Sequence, residues 1–298
     1  MNAIPHGTGV ALVTPFLNGE VDFPTLRRLV DHTIDGGVEY LVALGSTGEA
    51  TTCTSEECRR IFDTILDQTA GRVPVVAGMF GDNHTAYLTD KIRDYDFDGF
   101  TAIMSSSPHY NKPTQEGIHQ HYLRLAEVAP LPILLYNVPS RTGSNMNADT
   151  ILRLAELGTD TFCGIKEAGG DFAQADRVLK YRPEHFLVLS GDDALTPGFL
   201  AHGMDGAISV IANALPEVFS EMVRAGLAGD FATAREWHTQ MIDIHPLLYV
   251  DGNPPGLKAM MHLLGLCTDE VRLPLVPMSQ AGREQLEAVL RENLVSAF

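Results

Sequence analysis

The chain has 298 residues, 45% of them hydrophobic, with a mean hydropathy of +0.01. That describes an ordinary globular protein, long enough for two modest domains or one large α/β barrel. Its formal charge of −17, from 21 basic and 38 acidic residues, with no local basic patch, excludes a nucleic-acid partner, whose phosphates would be repelled.

No apolar run approaches a membrane span. Met1–His6 lacks the basic region and the apolar core of a secretory signal, so a cytoplasmic protein without a membrane partner is expected. The four cysteines (Cys53, Cys58, Cys163, Cys267) form no CxxC pair and the 11 histidines no HxxxH, so reduced thiols and no metal are expected.

Short β-rich runs alternate with amphipathic stretches up to about Asn213. The candidate strands are Gly9–Phe16, Tyr40–Gly45, Val73–Met79, Gly99–Ser105, Pro132–Val138, Thr161–Ala168, Phe186–Gly191 and Gly206–Ile211. Each is almost continuously apolar, as strands buried on both faces are. Helices are expected over Phe23–Asp35, Ser55–Thr69, Thr114–Val128, Asn147–Leu157 and Asp171–Lys180, with start signals at Thr54-Ser-Glu-Glu57 and Thr114-Gln-Glu116. Eight strands, each followed by a helix, predict an α/β fold of the (β/α)₈ TIM-barrel type. A doubly wound sheet is the weaker reading, because no GxGxxG follows the first strand. Beyond Asn213 only helices are expected: Pro216–Leu227, Phe231–Leu248, Pro255–Leu264 and Ser279–Asn293. The expected organisation is a barrel over residues 1–225 with a C-terminal helical appendage over 226–298.

Barrel chemistry gathers where strands end and βα loops begin, and polar residues collect at those places. Gly45-Ser-Thr-Gly-Glu49 offers two hydroxyls and flexible backbone N–H groups, which suit a carboxylate or simply a tight turn. Tyr136 closes an apolar strand, where a phenol serves packing as readily as chemistry. Arg141, in a Pro/Ser/Gly loop, can grip a carboxylate with its fork of donors or cap a helix. Asp192 and Asp193, without further ligands nearby, read as a helix N-cap rather than a metal site. Tyr110, between two prolines, is a loop anchor or an interface residue.

Lys166, in Thr161-Phe-Cys-Gly-Ile-Lys-Glu-Ala168, is one of five lysines; Lys91, Lys112, Lys180 and Lys258 fall in segments that read as exposed helix or loop. Burial disfavours its ammonium and makes the neutral amine available for Schiff-base chemistry. An ion pair with a buried carboxylate is the competing reading.

Taken in order, Gly7–Phe16, Gly45–Glu49, Tyr110–Gly117, Tyr136–Gly143, Gly164–Ala168, Ser190–Asp193, Asn253–Lys258 and Arg272–Pro277 resemble the class I pyruvate aldolase family, which includes dihydrodipicolinate synthases and N-acetylneuraminate lyases. The resemblance covers nearly the whole chain and is closer to the synthases. It implies that Lys166 forms a Schiff base with pyruvate, that Tyr136, Ser46 and Tyr110 make a proton relay with Tyr110 supplied by a neighbouring subunit, and that Thr47 holds the pyruvate carboxylate. Arg141 would bind the carboxylate of L-aspartate 4-semialdehyde, with Gly191 and Ile208 contributing main-chain contacts near Lys166. It also implies a place in lysine and diaminopimelate biosynthesis, a homotetramer built as a dimer of dimers, and no metal or organic cofactor.

Two departures matter. Ser46 stands where the synthases usually carry threonine, as in N-acetylneuraminate lyase; a sialic-acid or 2-keto-3-deoxy sugar acid aldolase is therefore the rival. The loop around Arg141 and the Pro108-His109-Tyr110 sequence favour the synthase. The second concerns feedback by lysine: Tyr87 replaces the family's effector-binding glutamate, Cys58 a histidine and His109 a tyrosine, while Asn83 is kept. Losing a carboxylate partner for the effector's ammonium removes ~1.5–3 kcal/mol, roughly tenfold or more in affinity, so weak or absent lysine inhibition is expected.

Overall fold

The computed structural model describes residues 4–78 and 80–293. Met79 at the end of the third expected strand, the first three residues and 294–298 of the C-terminal region lie outside the described residues. In chain order the elements are β1 (Gly7–Ala11), β2 (Phe16–Leu17), β3 (Glu20–Val21), α1 (Phe23–Asp35), β4 (Tyr40–Ala43), α2 (Ser55–Thr69), β5 (Val75–Ala77), α3 (Thr85–Asp94), β6 (Ala102–Ser106), α4 (Gln115–Ala126), β7 (Ile133–Asn137), α5 (Pro139–Thr142), α6 (Ala148–Ala155), β8 (Phe162–Glu167), α7 (Phe172–Tyr181), β9 (Leu187–Ser190), α8 (Thr196–Ala201) and β10 (Gly206–Ser209). Five helices follow: α9 (Pro216–Leu227), α10 (Phe231–Thr239), α11 (Ile244–Leu247), α12 (Pro255–Leu263) and α13 (Gln280–Asn293).

Strands β1, β4, β5, β6, β7, β8, β9 and β10 pair in parallel and close on β1, giving the expected eight-stranded (β/α)₈ barrel with C-terminal helices. Helices begin where the sequence supplies a capping oxygen: Asp22, Thr54, Thr114, Asn147 and Asp171 each accept a backbone N–H of the first turn of α1, α2, α4, α6 and α7. At α2 the capping box is complete, with Glu57 returning a bond to the Thr54 N–H.

The first strand is shorter than Gly9–Phe16. Asn213 accepts from the Val13 N–H and donates to the Ala11 carbonyl, so the ladder ends on that side chain. The chain then passes Pro15 into the small antiparallel hairpin β2–β3. The stretch Phe231–Leu248 divides into α10 and α11, consistent with Pro246, which suits a first helical turn and not a helix interior.

Side chains alternate across the barrel wall. Leu134 and Tyr136 of β7 face an inner layer with Val42, Val76, Met104, Leu189 and Ile208, while Ile133 and Leu135 face the helices. Tyr136 pairs with Lys166 in the β7–β8 register, which brings both side chains to the C-terminal mouth.

Candidate active site

Lys166 is 4% exposed, and its Nζ lies 4.6 Å from the centre of the Tyr136 ring. Its stem runs beside Gly191, whose N–H donates to the Glu167 carbonyl. A Cβ at residue 191 would come within 3.0 Å of Lys166 Cε and 2.7 Å of Ala168 Cβ, so only glycine leaves room for the lysine. The neighbouring Glu167 faces the other way, where Asn137, Gln174 and the Gly169 N–H saturate its carboxylate. Burial nevertheless holds its carboxyl above the usual carboxylate range.

A cavity of about 630 Å³ opens above Lys166. Ser46, Thr47, Tyr136, Arg141 and Gly191 all line it, so five of the expected site residues meet the lysine. Thr47 is buried and its Oγ1 accepts from Asn253 Nδ2 at 3.0 Å. Arg141 is exposed, and its Nη2 donates to the Asn253 carbonyl at 3.3 Å. Asn253 thus ties the two groups that would hold carboxylates, and its own Oδ1 is buried without a partner among the described residues. It belonged to a recognised motif but carried no local signal of function; its role depends on contacts 206 and 112 residues away in sequence.

Two expected site residues do not line the cavity with their side chains. Ile208, expected to contribute a main-chain contact, packs its side chain in the inner barrel layer, and Val210, two residues on, lines the cavity. Tyr110 is 87% exposed in a left-handed conformation (φ 65°), away from the cavity wall of its own chain.

Two readings of the sequence need correction. Lys258 is not on an exposed helix: it is fully buried, with Nζ 2.5 Å from Glu49 Oε1 and 2.8 Å from the Glu270 carbonyl, above the Phe16 ring. The paired-ammonium fate belongs to Lys258, while no carboxylate among the described residues pairs with Lys166. Asp193 does not cap a helix. Its Oδ2 accepts from the Val210 and Ile211 N–H groups and anchors the segment after β10, and burial pushes its carboxyl up to about 6. Asp192 instead accepts from the N–H groups of Ala194 and Leu195. The C-terminal helices, expected as an appendage on the barrel, reach its mouth, where His238, Ile242, His245, Pro246 and Tyr249 close the cavity.

A closed parallel barrel whose C-terminal mouth holds a buried lysine, a tyrosine, hydroxyls and an arginine defines an enzyme of the barrel lyase class. The chain belongs to the dihydrodipicolinate synthetase family, whose model matches residues 5–293. A 4-hydroxy-tetrahydrodipicolinate synthase of Parabacteroides distasonis is 46% identical over 287 residues, 96% of each chain. The crystal structure of a dihydrodipicolinate synthase from Thermotoga maritima superposes with a TM-score of 0.94 at 37% identity, covering 98% of this chain and 99% of that one. A structure characterised as a monomeric dihydrodipicolinate synthase variant superposes with a TM-score of 0.93, again at 37% identity and covering 97% of both chains.

Proposed function

We propose that this enzyme condenses pyruvate with L-aspartate 4-semialdehyde to 4-hydroxy-tetrahydrodipicolinate, in lysine and diaminopimelate biosynthesis, with Lys166 as the Schiff-base nucleophile. The observation that carries the reading is the buried, carboxylate-free Lys166 beside Tyr136, in a cavity that also holds Thr47 and Arg141. The full-length likeness to named synthases supports the choice of acceptor.

The Lys166 amine adds to the pyruvate carbonyl and water leaves, giving an iminium that acidifies the methyl group. The enamine formed on proton loss attacks the aldehyde carbon. The acceptor's amino group then attacks the iminium carbon, and Lys166 departs as the ring closes. Each step moves a proton, which the hydroxyls of Tyr136 and Ser46 can carry. Tyr110, exposed on its own chain, would complete that relay from a neighbouring subunit of a homotetramer. Thr47, oriented by Asn253, would hold the pyruvate carboxylate. Arg141 would hold the acceptor's carboxylate, and the Gly191 and Ile208 backbones would shape the wall behind Lys166. The sequence needs no metal or organic cofactor.

Among the described residues no helix is long and apolar enough to cross a membrane, and a cytoplasmic location fits this role. Weak or absent lysine inhibition also belongs to the proposal. Tyr87 stacks on His84, with ring centres 6.2 Å apart, and brings no carboxylate to an ammonium. An inhibition constant in the low-micromolar to sub-millimolar range would refute it.

The deciding experiment treats the enzyme with pyruvate and borohydride, maps the adduct by mass spectrometry, and compares turnover of aspartate semialdehyde and sialic acid. An adduct on Lys166 with semialdehyde turnover is expected. Cleavage of sialic acid instead would transfer the enzyme to the sugar acid aldolases, and no adduct would end the Schiff-base assignment.

A further inference from the structure

The start of α2 carries two thiols that the proposed chemistry does not use. Thr54 caps the helix, and its capping box with Glu57 is complete. Cys53 therefore occupies the position before the cap, and Cys58 the fourth helical position. In helix starts of this kind those two side chains pack against each other, ordinarily as an apolar pair. Here the pair is a dithiol. Both residues converge on the Ala50 carbonyl, which receives the Cys53 N–H at 3.4 Å and lies 4.0 Å from Cys58 Sγ. The Cys53 thiol donates to the Cys58 sulfur, and that bond holds Cys58 below its ordinary value. Cys58 is 3% exposed and Cys53 is half-buried, so a small solute reaches the pair from the Cys53 side. Burial acts differently on the other two thiols. It pushes Cys163 up to about 12 and Cys267 up to about 11, where they stay protonated at neutral pH and react poorly.

We propose that Cys53 and Cys58 are a modification site, a neighbouring dithiol that hydroperoxides oxidise to a reversible disulfide across the N-terminus of α2. One peroxide balances the step. A thiolate of the pair takes one peroxide oxygen and becomes a sulfenic acid, while the other oxygen leaves as hydroxide and is protonated to water. The second sulfur then attacks the sulfenic sulfur, the S–S bond forms, and a second water departs. Two thiols lose two electrons in all, and the peroxide gains them. Sulfurs already in hydrogen-bonding contact have only to close to the about 2 Å of an S–S bond. The second thiol also captures the sulfenic acid before further, irreversible oxidation. The bridge would span a junction that matters to the site. Cys53 ends the short turn Ala50–Thr52, which follows directly on the Gly45–Glu49 segment carrying Ser46 and Thr47. Glu57, between the two cysteines, binds the Arg272 guanidinium through both carboxylate oxygens. Oxidation would thus fix the spacing between the Ser46–Thr47 turn and the helix behind it.

The test treats the reduced, folded enzyme with hydrogen peroxide, quenches with an alkylating agent and maps the product by mass spectrometry. The expected result is the loss of two hydrogens from the peptide spanning residues 53–58, restored by dithiothreitol, with Cys163 and Cys267 still free. Cys53→Ser and Cys58→Ser should each abolish that loss. In Cys58→Ser the sulfenic acid left on Cys53, with no thiol to capture it, should be trapped by dimedone. Phenylarsine oxide, which binds two thiols only where they are adjacent, provides a measurement on wild type that needs no variant to fold. One equivalent should protect both cysteines from alkylation. Three results would overturn the site: oxidation of Cys53 alone to sulfinic or sulfonic acid, a bridge from Cys53 to Cys267, or survival of both thiols in peroxide that oxidises free glutathione completely. Failure of the arsenical to protect the pair would do the same, because the two sulfurs would then not be neighbours.

Discussion

Lys258 and Glu49 offer the sharpest test of the structural argument. Their side chains are 0% and 1% exposed and meet at 2.5 Å. Besides the lysine, the Glu49 carboxylate accepts, among the described residues, only the Arg272 N–H, at 3.2 Å. Lys258→Met keeps the stem over Phe16 and deletes the ammonium, which strands a desolvated carboxylate and leaves the Glu270 carbonyl without that donor. Breaking a buried pair from one side costs about 3–5 kcal/mol, equivalent to a fall in Tm of roughly 6–20 °C at this chain size. The double variant Glu49→Met/Lys258→Met removes both charges and should recover at least about 2 kcal/mol of that loss, because hydrophobic replacement of a whole buried pair is often near neutral. Thermal melting at one fixed protein concentration measures both. If Lys258→Met lost no more than about 1 kcal/mol of stability, the carboxylate would not be desolvated as the structure shows, and the reasoning would fail. Lys166→Met provides the contrast. No carboxylate is orphaned, so the Tm should hold while the pyruvate adduct disappears.

Gly191→Ala places a methyl 3.0 Å from Lys166 Cε and 2.7 Å from Ala168 Cβ; overpacking of this kind costs about 1–3 kcal/mol, and the rate of adduct formation should fall with it. An unchanged trapping rate would show that the lysine stem does not need that space. Tyr110→Phe should lower kcat while changing the stability of the chain's own fold by no more than about 0.5 kcal/mol, because Tyr110 is exposed on its own chain and the ring is kept; full activity would remove Tyr110 from the relay. Asn253→Ala removes the side-chain donor to Thr47 but keeps the backbone carbonyl that accepts from Arg141, so affinity for pyruvate should weaken more than affinity for the acceptor aldehyde, and an equal loss for both would refute that division. For His245, burial lowers the folded-state value from 6.5 to about 4, so the unfolded chain binds the proton first. Its contribution to stability is complete above pH 6.5 and lost as the pH falls towards 4, worth about 3 kcal/mol at most. Asp193, raised from 3.8 to about 6, acts in the opposite sense over much of that range. The readable quantity is therefore the difference in urea midpoint between wild type and His245→Gln, and a difference constant with pH would refute the assignment.

What could be read from the sequence divides along a physical line. The barrel was legible because a strand buried on both faces must be apolar throughout, and because helix starts announce themselves in one or two residues such as Thr54 and Glu57. Lys166 and Tyr136 were legible for the same reason: each is a polar interruption at the end of such a strand, and adjacent strands in register bring them together. Lys258 was not, since nothing near it in sequence announces Glu49, 209 residues earlier. The same holds for Asn253, defined by Thr47 and Arg141, and for the histidines of α10 and α11, which meet the cavity only once the helices close over the barrel mouth. Local composition marked Lys166 as buried but missed Lys258, and it cannot show what either lysine faces. For a buried ammonium the partner determines the chemistry. With Glu49 it is a charge held in place, and with a phenol ring, a glycine and an open cavity it is an amine poised to react.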